Sequence, residues 1–256
     1  MTNQKRIFAA ITIAIIKYKK LNFKNNFINK NLKNMTVIFD MDGVIVDTEP
    51  LHKYAYFNHY NELNIDVSDE LFESFTGQST KNVYQNLKDK FNLQEDVNDL
   101  VLRKRAIFND SFDTKEDLEL IPGVEQLIMD LYQNNFELIL ASSASKSTIN
   151  KVFDRFNLNQ FFVHKVSGEE FPKSKPDPAI FIHAANLATS KKEDCIVIED
   201  STNGVIAAKN ADLFCLGYDS VNSKNQDLSQ ADDIINDFFD IDALYIKNLL
   251  SNLNSK

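Results

Sequence analysis

From Thr36 the residues Val37, Ile38 and Phe39 form an unbroken apolar run that ends in Asp40. Such a run predicts a strand covered on both faces. Strand patterning then disappears over residues 49–112. "EPLHKYAYFNHYNEL" and "STKNVYQNLKDKFNL" repeat apolar residues every three or four positions, which is helical spacing. About four helices are expected there. "IPGVEQLIMDLYQNN" then opens a helix with Pro122 near its first turn. Beyond it, strand and helix patterns alternate: "FELILAS", "SKSTINKVFDRFNL", "VHKVS", "DPAIFIHAANLA", "CIVIED", "STNGVIAAKNA" and "DLFCLGY". Strands alternating with helices predict an α/β fold with a parallel sheet joined by crossovers. A core of residues 35–49 and 119–256 is expected, with a helical insert over 50–118.

Composition narrows the class. At 43% hydrophobic and 25% charged residues, the chain has the balance of an ordinary globular protein. A net charge of -9 argues against general nucleic-acid binding, which needs a basic face. Cys195 and Cys215 both lie in apolar runs and read as inert core thiols. With no disulfide framework, a reducing cytoplasm is the expected compartment.

The first 34 residues differ from the rest. They carry eight Lys and Arg and no acid, so this stretch is +8 and the remaining residues carry -17. Its apolar run Ile7 to Ile16 is too short to span a bilayer, and no stable membrane insertion is expected. Three readings stay open: a stretch upstream of a start at Met35, a targeting segment, or a helix docked on the domain.

Candidate chemistry collects where parallel sheets bind ligands, beyond the carboxyl ends of the strands. Asp40 and Asp42 follow the first strand. Ser142 and Ser143 follow "FELILA", and Glu199 and Asp200 follow "CIVI". Lys175 opens the turn "SKPDP". Carboxylates converging on one point repel unless a hard cation sits among them, and Mg²⁺ suits a site completed by water and phosphate. Ser142, at a helix start, and Lys175 supply donors and charge for that phosphate. Asp40 then reads as a nucleophile and Asp42 as a general acid and base.

These residues resemble a known pattern. "DMDGVIVDT", the serine of "LILAS", "KP" and "IED" are similar, in order and spacing, to the four motifs of the haloacid dehalogenase superfamily. "DTEPLH" most resembles the subgroup that contains β-phosphoglucomutases and small sugar-phosphate phosphatases. The resemblance implies a Rossmann-like core with an inserted helical cap. It implies that Asp40, the backbone carbonyl of Asp42 and Asp200 hold Mg²⁺, with Glu199 a further ligand or a group behind them. It implies that Ser142 and Lys175 bind the transferred phosphate, and that Thr48 and His52 lie at the hinge between core and cap. Ser143 and Lys146 are candidate substrate contacts.

Other residues read as structural. Asp47 and Glu49 are expected as turn and helix-start carboxylates. Tyr54, Phe57 and Tyr60 are expected in the cap core, with Tyr56 the residue that could face the cleft. His59, His164 and His183 are expected as structural or surface residues. An acid two residues after the nucleophile disfavours a dehalogenase. β-Phosphoglucomutases resemble one another in a cap pattern, KGxxR, whose counterpart is "TGQST", Thr76 to Thr80. The glycine is kept and both cations are missing, although Lys81 is adjacent. A monomeric phosphomonoester hydrolase of a small sugar phosphate is therefore expected, with β-phosphoglucomutase as the alternative.

Overall fold

The computed structural model describes residues 35–75, 78–220 and 225–253. The expectations for residues 1–34, and for Thr76 and Gly77 of "TGQST", lie outside them.

Six strands form one sheet: β1 (Thr36–Phe39), β2 (Glu137–Ser142), β3 (His164–Ser167), β4 (Cys195–Glu199), β5 (Phe214–Tyr218) and β6 (Asp233–Ile235). Their order is β3-β2-β1-β4-β5-β6, and every neighbouring pair is parallel. This is the doubly wound, Rossmann-like arrangement. β6 is the strand the sequence pattern did not suggest; three residues are too few for alternation to register.

The strand period of two divides the core into layers. Val37 and Phe39 of β1 join Leu138, Leu140, Ile196 and Ile198 on one face. That face is covered by α5 (Val124–Gln133), α6 (Lys146–Arg155) and α9 (Ala243–Leu253). Ile38 joins Ile139, Ala141 and Val197 on the other, under α7 (Ala179–Leu187) and α8 (Thr202–Asn210). Full burial on both faces explains why β1 reads as continuously apolar. The two cysteines are free and buried.

Between β1 and α5 lie four helices: α1 (Glu49–Glu62), α2 (Asp69–Glu73), α3 (Thr80–Phe91) and α4 (Val97–Thr114). They share a separate core of Tyr56, Tyr60, Val83, Tyr84, Leu87, Leu100 and Val101. This corrects one expectation. Tyr54 is 56% exposed, and the buried tyrosines of α1 are Tyr56 and Tyr60, one turn apart on the same face. His59 is structural as expected, with Nδ1 2.6 Å from the Tyr84 hydroxyl. Among the described residues no helix is long and apolar enough to cross a membrane.

Candidate active site

Sheet order explains the clustering of the polar residues. β1 lies between β2 and β4, and Phe39 pairs with Leu140 on one side and Ile198 on the other. The next residues, Asp40, Ala141–Ser142 and Glu199–Asp200, therefore emerge side by side from three adjacent strands, spaced by about 4.8 Å per strand. Asp40 remains tied to the sheet through its N–H, which donates to the Ile198 carbonyl at 3.0 Å.

After Asp40 the chain turns back at once. The N–H groups of Ile45 and Val46 donate to the Met41 carbonyl, and the Gly43 N–H donates to the Val46 carbonyl at 2.9 Å. Gly43 has φ of +86°, a left-handed conformation that glycine adopts without penalty. A Cβ there would also lie 2.0 Å from Oδ2 of Asp200. The missing side chain thus makes room for the Asp200 carboxylate directly beside Asp42.

Lys175 joins the elements at the bottom of the site. Its Nζ donates to Asp40 Oδ1 at 2.5 Å, to Glu199 Oε1 at 2.7 Å and to the Ala141 carbonyl at 3.2 Å. Burial works against its charge, but Asp40 and Glu199 outweigh burial and hold it above its ordinary pKa. Burial raises Asp40 to about 7, with Lys175 pulling it down and Glu199 pushing it up.

The Glu199 carboxylate is fully used by the protein. Oε1 takes Lys175, and Oε2 accepts from the Asp200 N–H at 2.9 Å, the Ser201 N–H at 2.9 Å and the Ser201 hydroxyl at 3.0 Å. It is wedged against Gly204, where a Cβ would meet its Oε1 at 1.8 Å. Of its two expected roles, metal ligand or group behind the ligands, this geometry accounts for the second.

Asp42 stands across from Asp40. Burial, then the Asp40 and Glu49 charges, push its carboxyl well above the ordinary range. A carboxyl whose pKa is raised holds its proton to higher pH and can donate it to a leaving group. The Thr48 hydroxyl donates to Asp42 Oδ1 rather than capping α1. His52 Nε2 is 3.8 Å from the same oxygen.

Behind His52 lies a residue the sequence reasoning missed. Lys104 of α4 is 1% exposed, with Nζ 2.5 Å from His52 Nδ1 and 4.2 Å from the centre of the Tyr56 ring. Burial lowers its pKa to about 7, against the raising pull of Asp42 and Glu49. His52 is pushed well down by burial and by Lys104. While Lys104 is an ammonium it can only donate, so Nδ1 accepts and the proton of the neutral ring sits on Nε2. A signal was present: Leu100, Lys104, Phe108 and Phe112 are the buried residues at successive four-residue steps along α4, and Lys104 is the polar one among them.

One cavity unites these groups. Asp40, Asp42, Ser142, Ser143, Ala144, Asp200 and Ser201 line its sheet side, and Glu49, His52 and Tyr56 belong to its other wall. Tyr56 therefore faces the cleft as well as the core. Glu49, expected as a helix-start carboxylate, begins α1 and also lines the cavity. Ser142 is buried, and its Oγ accepts from the Ala144 N–H at 3.0 Å. Lys146 is not brought to the site. Its side chain is 64% exposed, with Nζ 3.2 Å from Glu170. Lys81 lines a neighbouring cavity with Arg105, which is paired with Glu169.

The donors suit a hard cation. Asp40, Asp200 and the Asp42 backbone carbonyl offer oxygen alone, and the space at Gly43 brings the Asp200 carboxylate to that backbone. Among the described residues, no three His, Cys, Asp or Glu side chains form a metal cage by themselves. A site of two carboxylates plus a carbonyl is compatible with that.

Comparisons with known proteins agree with the geometry. A family model described as haloacid dehalogenase-like hydrolase matches residues 37–218. The chain is 29% identical to the β-phosphoglucomutase of Bacillus subtilis, over 71% of this chain and 81% of that protein. It is 28% identical to the phosphorylated carbohydrates phosphatase of Thermotoga maritima, over 74% of this chain and 86% of that protein. Among solved structures, it superposes on a β-phosphoglucomutase from Clostridium difficile with a TM-score of 0.77 and 25% identity. That match covers 87% of this chain and all of the other.

Proposed function

Since the chain belongs to the haloacid dehalogenase-like hydrolases, we propose that this enzyme hydrolyses the phosphomonoester of a small sugar phosphate through an aspartyl-phosphate. The observation that carries the proposal is the pairing of Asp40, held by Lys175 at 2.5 Å, with Asp42, whose carboxyl is pushed well above the ordinary range. One acid is positioned to attack and the other to move a proton.

Lys175 engages Asp40 Oδ1, so attack on phosphorus is assigned to Oδ2. The bond from phosphorus to the sugar oxygen breaks as that from Oδ2 forms, and Asp42 protonates the departing alkoxide. Asp42, now a carboxylate, takes a proton from water. That water attacks phosphorus and releases inorganic phosphate and free Asp40. The Ser142 hydroxyl, the amides of the following loop and the Lys175 ammonium supply donors to the phosphoryl oxygens. Glu199 keeps Lys175 charged and fixed. Mg²⁺ held by Asp40, Asp200 and the Asp42 carbonyl would neutralise charge on the phosphoryl oxygens. The helices α1–α4 act as the cap that keeps bulk water from the intermediate.

A second reading has specific support: the chain is as similar to a β-phosphoglucomutase as to a carbohydrate phosphatase. In a mutase the sugar phosphate itself, rather than water, takes the phosphoryl group. Holding it for that purpose calls for cations on the cap side, and the described residues lining the cavity include no lysine or arginine.

The test is phosphate release from a panel of sugar phosphates by the purified protein, with Mg²⁺ and with excess chelator. Release that needs Mg²⁺ is expected. Absence of release from every ester would overturn the hydrolase assignment, and full turnover in chelator would overturn the metal.

A further inference from the structure

The cavity has two chemically distinct walls. The sheet side carries the acids and serines of the transfer chemistry. The helical side is formed by Tyr56, Phe72, Phe75, Gln78, Thr80 and Val83, together with Glu49 and His52. This second wall offers aromatic surface, an amide and hydroxyls. Lys104 holds His52 neutral from behind. Among the described residues of that wall, Glu49 is the one able to carry a negative charge.

Glu49 is more than a helix-start group. A position at the first residue of α1 does favour an acid through the helix dipole. That effect needs no cavity, and acids serving it usually point to solvent. Glu49 is only partly exposed and lines the same cleft as Asp42, from the helical wall. Among the described residues no donor hydrogen-bonds its carboxylate, so its oxygens remain as acceptors within the cavity. Burial raises its pKa, and Lys104 opposes that rise and favours the ionised form.

We propose that Glu49 selects the leaving group: its carboxylate accepts hydrogen bonds from hydroxyls of a neutral polyol or sugar, and its charge keeps a second phosphate off this wall. This rests on the phosphomonoester assignment and deepens it. A carboxylate takes two hydroxyl donors at once in charge-assisted bonds, while apolar and aromatic neighbours cover the carbon face of the same molecule. A second phosphate there would meet a like charge and find no cationic partner among the described lining residues, so discrimination comes from repulsion as well as attraction. The ligand class is therefore a monophosphate whose leaving group is uncharged and rich in hydroxyls.

The test compares two esters of equal charge, glucitol 6-phosphate and propyl phosphate, in wild type and Glu49→Gln. Wild type should favour the polyol ester in kcat/KM. In the variant that preference should fall by about 10–100-fold, the usual worth of a hydrogen bond to a charged group, and chiefly through KM. Thermal unfolding checks that the variant folds, and Glu49→Asp, which keeps the charge but shortens its reach, is the second variant, expected to lose part of the same preference. Equal turnover of both esters by wild type, or equal losses on both in the variant, would overturn the proposal and leave Glu49 a helix-start residue. No phosphate from either ester, while other sugar phosphates of the panel are hydrolysed, would overturn this inference alone; none from any ester would overturn the phosphomonoester assignment and this inference with it.

Discussion

On the sheet side of the cleft Asp40, Ser142 and Asp200 follow or end three adjacent strands, and Lys175 ties Asp40 to Glu199 beneath them. On the helical side the lining residues come from helix faces that also build a core of their own, as Tyr56 does. The first wall is fixed by parallel register: Asp40, Ser142 and Asp200 are neighbours because β1, β2 and β4 are. The second is fixed by side-chain packing between α1 and α4, where Lys104 reaches His52 across two helices. The difference teaches that the two walls rest on different structural supports, so substitutions on them should fail differently.

The largest effect belongs to the sheet wall. Asp40→Asn should remove turnover while the protein still folds, because Lys175 keeps Glu199 as a partner. Unfolding followed beside the phosphate assay separates the two losses, and residual turnover above a hundredth of wild type would remove Asp40 from the nucleophile's role. Asp42→Asn should cost about 10²–10⁴-fold, the range of a positioned proton-transfer group. The loss should be greatest for esters of poor leaving groups, and a uniform loss across leaving groups would contradict an acid role.

The helical wall should announce itself in stability. Burial lowers Lys104 from 10.5 to about 7, so between these values the unfolded chain binds the extra proton. Stability from this residue is therefore lowest below about pH 7 and rises with pH up to about 10.5. Lys104→Met should flatten that rise and stabilise the protein below neutrality, by an amount on the order of a few kcal/mol. Denaturant unfolding at several pH values measures it, and an unchanged profile would mean that Lys104 is not held near neutrality. The smallest effect is at the rim. Lys146→Ala should change kcat/KM less than about twofold and stability by less than about 0.5 kcal/mol, as for other exposed pairs. A tenfold loss would return Lys146 to the site.

The same contrast governs what could be read from sequence. The clustering at the sheet wall was legible because acids at the ends of apolar strands stand where solvation does not explain them. Even there, the role of Glu199 was not legible, since its Oε2 is occupied by backbone amides and a hydroxyl of its own turn, and an amide leaves no mark in a residue string. The helical wall was harder. A three-residue step from Tyr54 to Phe57 to Tyr60 drifts around a helix of 3.6 residues per turn, so Tyr54 was assigned to a face that is in fact solvent. Lys104 carried its signal in the apolar stripe of α4, and Glu49 was hidden by a helix-start role that it also fills. β6 was too short to leave a pattern.

The central claim is that a cleft with an acid pair on one wall and, among its described lining residues, no lysine or arginine on the other passes the phosphoryl group to water. Wild type supplied with Mg²⁺, β-glucose 1-phosphate and glucose 1,6-bisphosphate lets both products be quantified in one reaction. Inorganic phosphate forming faster than glucose 6-phosphate is the predicted result. Glucose 6-phosphate as the dominant product would contradict the account and make the enzyme a mutase.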